Sequence, residues 1–175
     1  MSIQNRSKCV WIAAALGLAS LALAVPGVQA AKPTRTTRPP ESSLLPAGMA
    51  CPFDVTQTEL PGSTFKTTVF SDGRSQEKRK GRVQFTNVGT GQSVIVKLAV
   101  TVTFEDRDGI RFFESSGIGF TQFFPGDQTD FGTIGEDGAL LRITGHVEGA
   151  LDLNADLFTS YSLNGQATDI CGLIS

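Results

Sequence analysis

From residue 51 onward the chain alternates between apolar and polar positions with a period of two. The clearest stretch is 93–105, SVIVKLAVTVTFE, in which Val94, Val96, Leu98, Val100, Val102 and Phe104 fall on one side of an extended chain. Ser93, Lys97, Thr101, Thr103 and Glu105 fall on the other, together with Ile95 and Ala99. Successive side chains of a strand point to opposite faces, so this segment predicts a long strand with one buried face. Shorter segments of the same kind lie at 53–58, 64–70, 82–88, 110–115, 120–124 and 139–147. They are separated by turn formers: Leu60-Pro61-Gly62-Ser63, Ser71-Asp72-Gly73, Gly89-Thr90-Gly91, Asp106-Arg107-Asp108-Gly109, Pro125-Gly126-Asp127 and Gly135-Glu136-Asp137-Gly138. Asn164-Gly165 predicts either a tight hairpin or a bulge inside one long C-terminal strand. No segment after residue 51 has helical periodicity. Strands every 8–12 residues with turns between them predict an all-β, antiparallel β-sandwich, with a small closed β-barrel as the alternative.

The first 30 residues follow a different pattern. Arg6 and Lys8 precede an uninterrupted apolar run from Val10 to Val25, and Pro26-Gly27-Val28-Gln29-Ala30 leads into Ala31. A basic start, a short apolar run and a small-x-small ending read as a secretory signal peptide cut between Ala30 and Ala31. The run is 16 residues long, short of the roughly 20 that span a bilayer. Cleavage is therefore favoured over a retained anchor, Cys9 leaves with the peptide, and no later segment predicts a membrane span. The expected localisation is secreted.

Residues 31–50 carry Pro33, Pro39, Pro40 and Pro46 among Thr, Ser and Arg. Such a stretch has little apolar surface to offset the entropy of ordering, so it predicts a flexible linker ahead of a single domain at 51–175. Cys51 opens that domain and Cys171 nearly closes it. Two cysteines in an exported chain predict one disulfide, against the alternatives of two free thiols or a thiol catalyst. A bridge needs Cα atoms within about 7 Å, which would make the first and last strands neighbours.

The two ends also carry a resemblance. Ala50-Cys51-Pro52-Phe53-Asp54-Val55 and Thr168-Asp169-Ile170-Cys171-Gly172-Leu173 resemble a group of exported β-domain proteins of actinobacteria. Those proteins pair an ACxFDV-like opening with a TDVCxL-like ending. The resemblance implies export, a β fold and a terminal disulfide, and implies no activity.

Composition narrows the chemistry. Without Arg6 and Lys8, 13 basic residues face 17 acidic ones, a net charge of −4. That balance argues against nucleic acid as a partner. The single histidine, His146, argues against zinc, and no cofactor is expected. His146 shares a face with Glu148 and suggests a base and its orienter, although an exposed polar face explains the pair as simply. Asp106, Asp108 and Gly109 resemble part of a calcium loop but lack its twelfth-position carboxylate, so a hairpin turn is preferred. Lys78-Arg79-Lys80-Gly81-Arg82 is the one basic run; it suits an anionic cell-envelope polymer, or an edge strand whose lysines block further pairing. Glu105 and Glu114 are the carboxylates for a glycoside hydrolase, the least favoured reading.

Phe112, Phe113, Phe120, Phe123, Phe124 and Phe131 crowd one segment. Neighbours in a strand face opposite ways, so they cannot share one core layer. Phe113, Phe120 and Phe124 are the candidate contacts for an apolar ligand, against a core that uses both faces. The leading expectation is a non-enzymatic binding or cell-surface structural domain whose partner is an envelope polymer or protein; the alternative is a carrier of a small apolar ligand.

Overall fold

The computed structural model describes residues 31–175. The signal-peptide reading, including Ala30, falls outside the described residues. Within them the strands in chain order are β1 (Thr34–Arg38), β2 (Ser42–Leu45), β3 (Val55–Glu59), β4 (Thr64–Val69), β5 (Ser75–Asn87), β6 (Ser93–Arg107), β7 (Ile110–Phe123), β8 (Gln128–Thr129), β9 (Gly132–Thr133), β10 (Ala139–Asp152) and β11 (Leu157–Asp169). A single 3₁₀ turn, Cys171–Leu173, follows. Every ladder is antiparallel. The main sheet runs β1-β4-β5-β6-β7-β10-β11, with β3 and β2 continuing from the far end of β5, and it does not close into a barrel.

Strand β6 forms where the alternation places it, with Val96 and Leu98 buried and Ser93, Ile95 and Lys97 exposed. The hairpin to β7 turns on Asp108 and Gly109, both at positive φ (51° and 81°), as a two-residue Asp-Gly connection requires. Strand β7 is longer than the alternation implies, continuing without a break through Gly117 and Gly119. Asn164-Gly165 is likewise interior to β11, opposite His146 and Gly145; the register shift of that ladder lies elsewhere, at Ala150/Leu151.

By register, Arg79 of β5, Val100 of β6, Gly117 of β7 and Gly145 of β10 share one face, here the inner face. β7 pairs with β6 only as far as Ile118. Beyond it the two strands part, and the end of β7 and the start of β10 pass over the first half of β6. Phe120 and Leu140 then close on Val83, Phe85, Val96 and Leu98, joined by Val55, Ile170 and Ile174. That is the core of the sandwich. A second core on the opposite side of β7 and β10 gathers Phe123, Ile143, Val147 and Tyr161, with Phe113, Phe158 and Leu163 packed against it. The end of β7 is therefore covered on both faces, with Phe120 in one core and Phe113 and Phe123 in the other, while Phe112 and Phe131 stay exposed.

The disulfide joins Cys51 and Cys171 with Cα atoms 5.6 Å apart. The strands beside it are not ladder neighbours, because β3 pairs with β2 and β5 while β11 pairs with β10. The bridge ties one layer of the sandwich to the other. Asn87 reinforces it by donating its side-chain N–H to the Ile174 carbonyl at 3.0 Å.

Residues 31–50 correct the expectation of a flexible linker. β1 pairs with β4 over five residues, and β2 pairs with β3 over four. The anchor is Arg38, whose guanidinium donates to both oxygens of Glu59 at 2.6 and 2.7 Å and lies 4.1 Å from the Phe65 ring centroid. Glu59 is 7% exposed and also accepts the Glu41 backbone N–H at 2.9 Å. Composition alone misses this because the partners lie about 20 residues downstream. Burial works against the charged Glu59 carboxylate, but the Arg38 and Glu41 hydrogen bonds outweigh it and hold its pKa below the ordinary value. A depressed carboxyl pKa contributes stability above the unfolded-state value, and that stability is lost as pH falls through the folded one. Glu59→Gln is expected to cost about 2 kcal/mol at pH 7. The gap from the wild type should shrink as pH falls from about 5 towards 2, as urea unfolding at several pH values can check. An equal gap at every pH would refute the ionic role.

Candidate functional site

Glycine shapes the inner face between β6 and β10. Gly117, Gly119 and Gly145 place no side chain above the floor, and the surrounding walls are Val100, Val102, Phe104, Phe113, Val147 and Phe158. The result is a cleft of about 330 Å³ at the point where β7 leaves β6. Arg79 and Arg111 stand in its lining, and each already has a carboxylate partner. Arg79 bonds Glu77, and Arg111 bonds Asp106 at 2.8 Å through two nitrogens. The Arg111 hydrogen bond holds the Asp106 carboxyl below its ordinary pKa, against the opposing effect of burial. The charges in the lining are thus offset in place, and the cleft offers an apolar, near-neutral interior.

Of the three candidate ligand contacts, Phe113 and Phe120 line this cleft. Phe120 also packs edge-on against Phe85 of the core, with ring centroids 4.9 Å apart. Phe124 does not line it; its backbone N–H donates to Asp127 at 2.7 Å in the loop after β7. That assignment is corrected, because Phe124 lies beyond the last inner-facing position of the strand. Asp127 is fully buried and accepts a second N–H from Phe158 at 2.7 Å, so it fixes the loop against β11. Burial raises its pKa, and the two N–H donors only partly offset that. Deeper on the same face Phe123, Phe158 and Tyr161 form an edge-to-face cluster with centroids 4.7–5.8 Å apart. Burial raises the Tyr161 phenol, against the hydrogen bond it shares with Thr121 at 3.2 Å.

The outer face carries the polar candidates. His146 does not bond Glu148. Its Nδ1 shares a 3.0 Å hydrogen bond with Ser116 Oγ, and its Nε2 lies 3.8 Å from Glu114. These three residues meet on the solvent-exposed outer face of the sheet, with Glu114 69% exposed. Glu105, Glu114 and Glu148 do line one broad depression of about 780 Å³. The Arg107 hydrogen bond at 2.6 Å lowers the Glu105 pKa, the reverse of what a glycosidase acid needs. Asp106 and Asp108 are accounted for by the Arg111 pair and the hairpin turn.

The basic run changes meaning in three dimensions. β5 is an interior strand, paired with β4 and β3 on one side and β6 on the other. Its lysines therefore do not protect an edge, which corrects that reading. Arg79 points inward, while Lys78, Lys80 and Arg82 are exposed on the outer face, where Lys66 of β4 and Lys97 of β6 join them. The alternation of the run alone separates these two sets, but only the ladder brings in Lys66 and Lys97.

No protein-family model, curated protein or solved structure matches this chain in the comparisons made.

Proposed function

We propose that this chain is an exported, non-enzymatic binding domain that holds a small apolar molecule in the inner-face cleft. The observation that carries the reading is the cleft itself: valines and phenylalanines around a glycine floor, with its arginines neutralised by Glu77 and Asp106. Its volume of about 330 Å³ lies at the lower end of the range for small-molecule sites. The signal-peptide pattern and the cross-layer disulfide support export, since such bridges persist in oxidising compartments.

The test is a neutral apolar dye, so that charge plays no part. Nile red is expected to bind the wild type with enhanced, blue-shifted emission. Gly119→Leu should weaken that binding at least fivefold, because a Cβ at residue 119 meets Val100 Cγ1 at 3.4 Å and the side chain beyond it fills the cleft. Its thermal midpoint should stay near the wild-type value. Unchanged dye affinity in a folded Gly119→Leu would retire the cleft as the site.

A further inference from the structure

We infer that the outer face of β4, β5 and β6 is a second binding site, and that its ligand is an extended polyanion carrying phosphate or carboxylate groups at short intervals. A groove of about 730 Å³ runs there, lined by Lys66, Lys80, Arg82 and Lys97 with Thr64 and Ile95, and no carboxylate lies among its lining residues. Lys78 extends the same face beside Lys66. None of these five cations forms an ion pair with a described residue, although the chain as a whole is acidic.

Two features set the groove apart from an ordinary solvated surface. Lys66 lies directly opposite Lys78, and Arg82 directly opposite Lys97. Like charges in cross-strand register destabilise a sheet, so folding alone disfavours this arrangement twice over. The cations are also spread along a trough rather than on a protruding surface. Lys78, Lys80 and Arg82 recur every second residue of β5, about 6.8 Å apart, while Lys66 and Lys97 flank them on the neighbouring strands. A flexible chain of anions can follow such a row. Lysine presents a point charge without the planar fork of arginine, so the site selects charge density and linear form more than one anion geometry. Ile95 is the one large exposed apolar residue in the groove, and no aromatic ring offers the stacking platform of a single-stranded nucleic-acid site.

The cleft and this groove lie on opposite faces of the sheet, because successive residues such as Arg79 and Lys80 point opposite ways. The two sites are thus tested independently. Binding of long-chain inorganic polyphosphate and of poly-glutamate is measured by calorimetry at 50 and 200 mM salt. The wild type is expected to bind at least one of them, and which one identifies the preferred anion. With four cations engaged, affinity should fall about fiftyfold between the two salt concentrations, on the slope known for single-stranded phosphate chains. Lys80→Gln/Arg82→Gln/Lys97→Gln should lose at least tenfold in affinity while melting at or above the wild-type temperature, since it relieves like-charge repulsion. Arg107→Gln, at the far end of β6, should change affinity less than twofold. Three results would overturn the inference: no binding of either polymer, an equal loss in Arg107→Gln, or salt-independent binding.

Discussion

Replacing Cys51 and Cys171 together by alanine is expected to lower the unfolding free energy by about 3–5 kcal/mol. The size follows from the 120-residue separation of the two cysteines, which makes the loop they close almost the whole domain. In the reduced chain that loop regains its full freedom on unfolding, and loop-closure entropy grows with length. Placement adds to the effect. The bridge joins the layer of β3 and β5 to the segment after β11, and these have no ladder between them. Without it, the segment after β11 is held to that layer by the packing of Ile170 and Ile174 and by the Asn87 hydrogen bond. Urea unfolding of the oxidised protein and the double variant measures the difference. A loss below about 1 kcal/mol would mean that the unfolded chain is already constrained by other means.

The second large effect is expected at Gly117. Its φ is +125°, and a Cβ built there would lie 2.1 Å from the Ala99 carbonyl oxygen. That oxygen belongs to the β6–β7 ladder at the place where the two strands begin to part. Gly145, its partner on β10, has φ +136°, so the sheet turns along a row of glycines that no L side chain can occupy without moving backbone. Gly117→Ala should cost about 3 kcal/mol or more, combining a disfavoured backbone region with disrupted pairing. Gly119→Ala is the control. Two residues on, with no positive φ and only ordinary contact to Val100, it should change stability by less than about 0.5 kcal/mol. Equal costs at the two positions would rule out the bend as the reason.

Much of the fold was legible in particular residues. The alternation in 93–105 places β6 to within two residues of its observed ends, and Asp108-Gly109 marks its hairpin. Other features were hidden. Residues 77–80 of β5 are all charged, so the alternation there reads as a charged run. Gly117 and Gly119 look like the end of a strand because their role is to let β7 bend. β1 is built from Thr and Arg and β2 from two serines and two leucines, and their strand pairing depends on Glu59, Phe65 and the edges of β3 and β4. The candidate sites divided in the same way. Phe113 and Phe120 were marked by composition, yet Val100, Val102 and Val147, which make the cleft walls with them, looked like ordinary core positions.

Period two along the chain determined that this protein is all-β and antiparallel, and which side chains share a face within each strand, because that property depends only on neighbouring residues. The count of cysteines from residue 51 onward was enough to name the disulfide partners. Tertiary structure alone decided which faces are covered, that β5 is interior, and that its cations stand beside Lys66 and Lys97. Those outcomes depend on which strands pair and where β6 and β7 separate, and the residues that set them lie tens of positions apart, where local alternation carries no information.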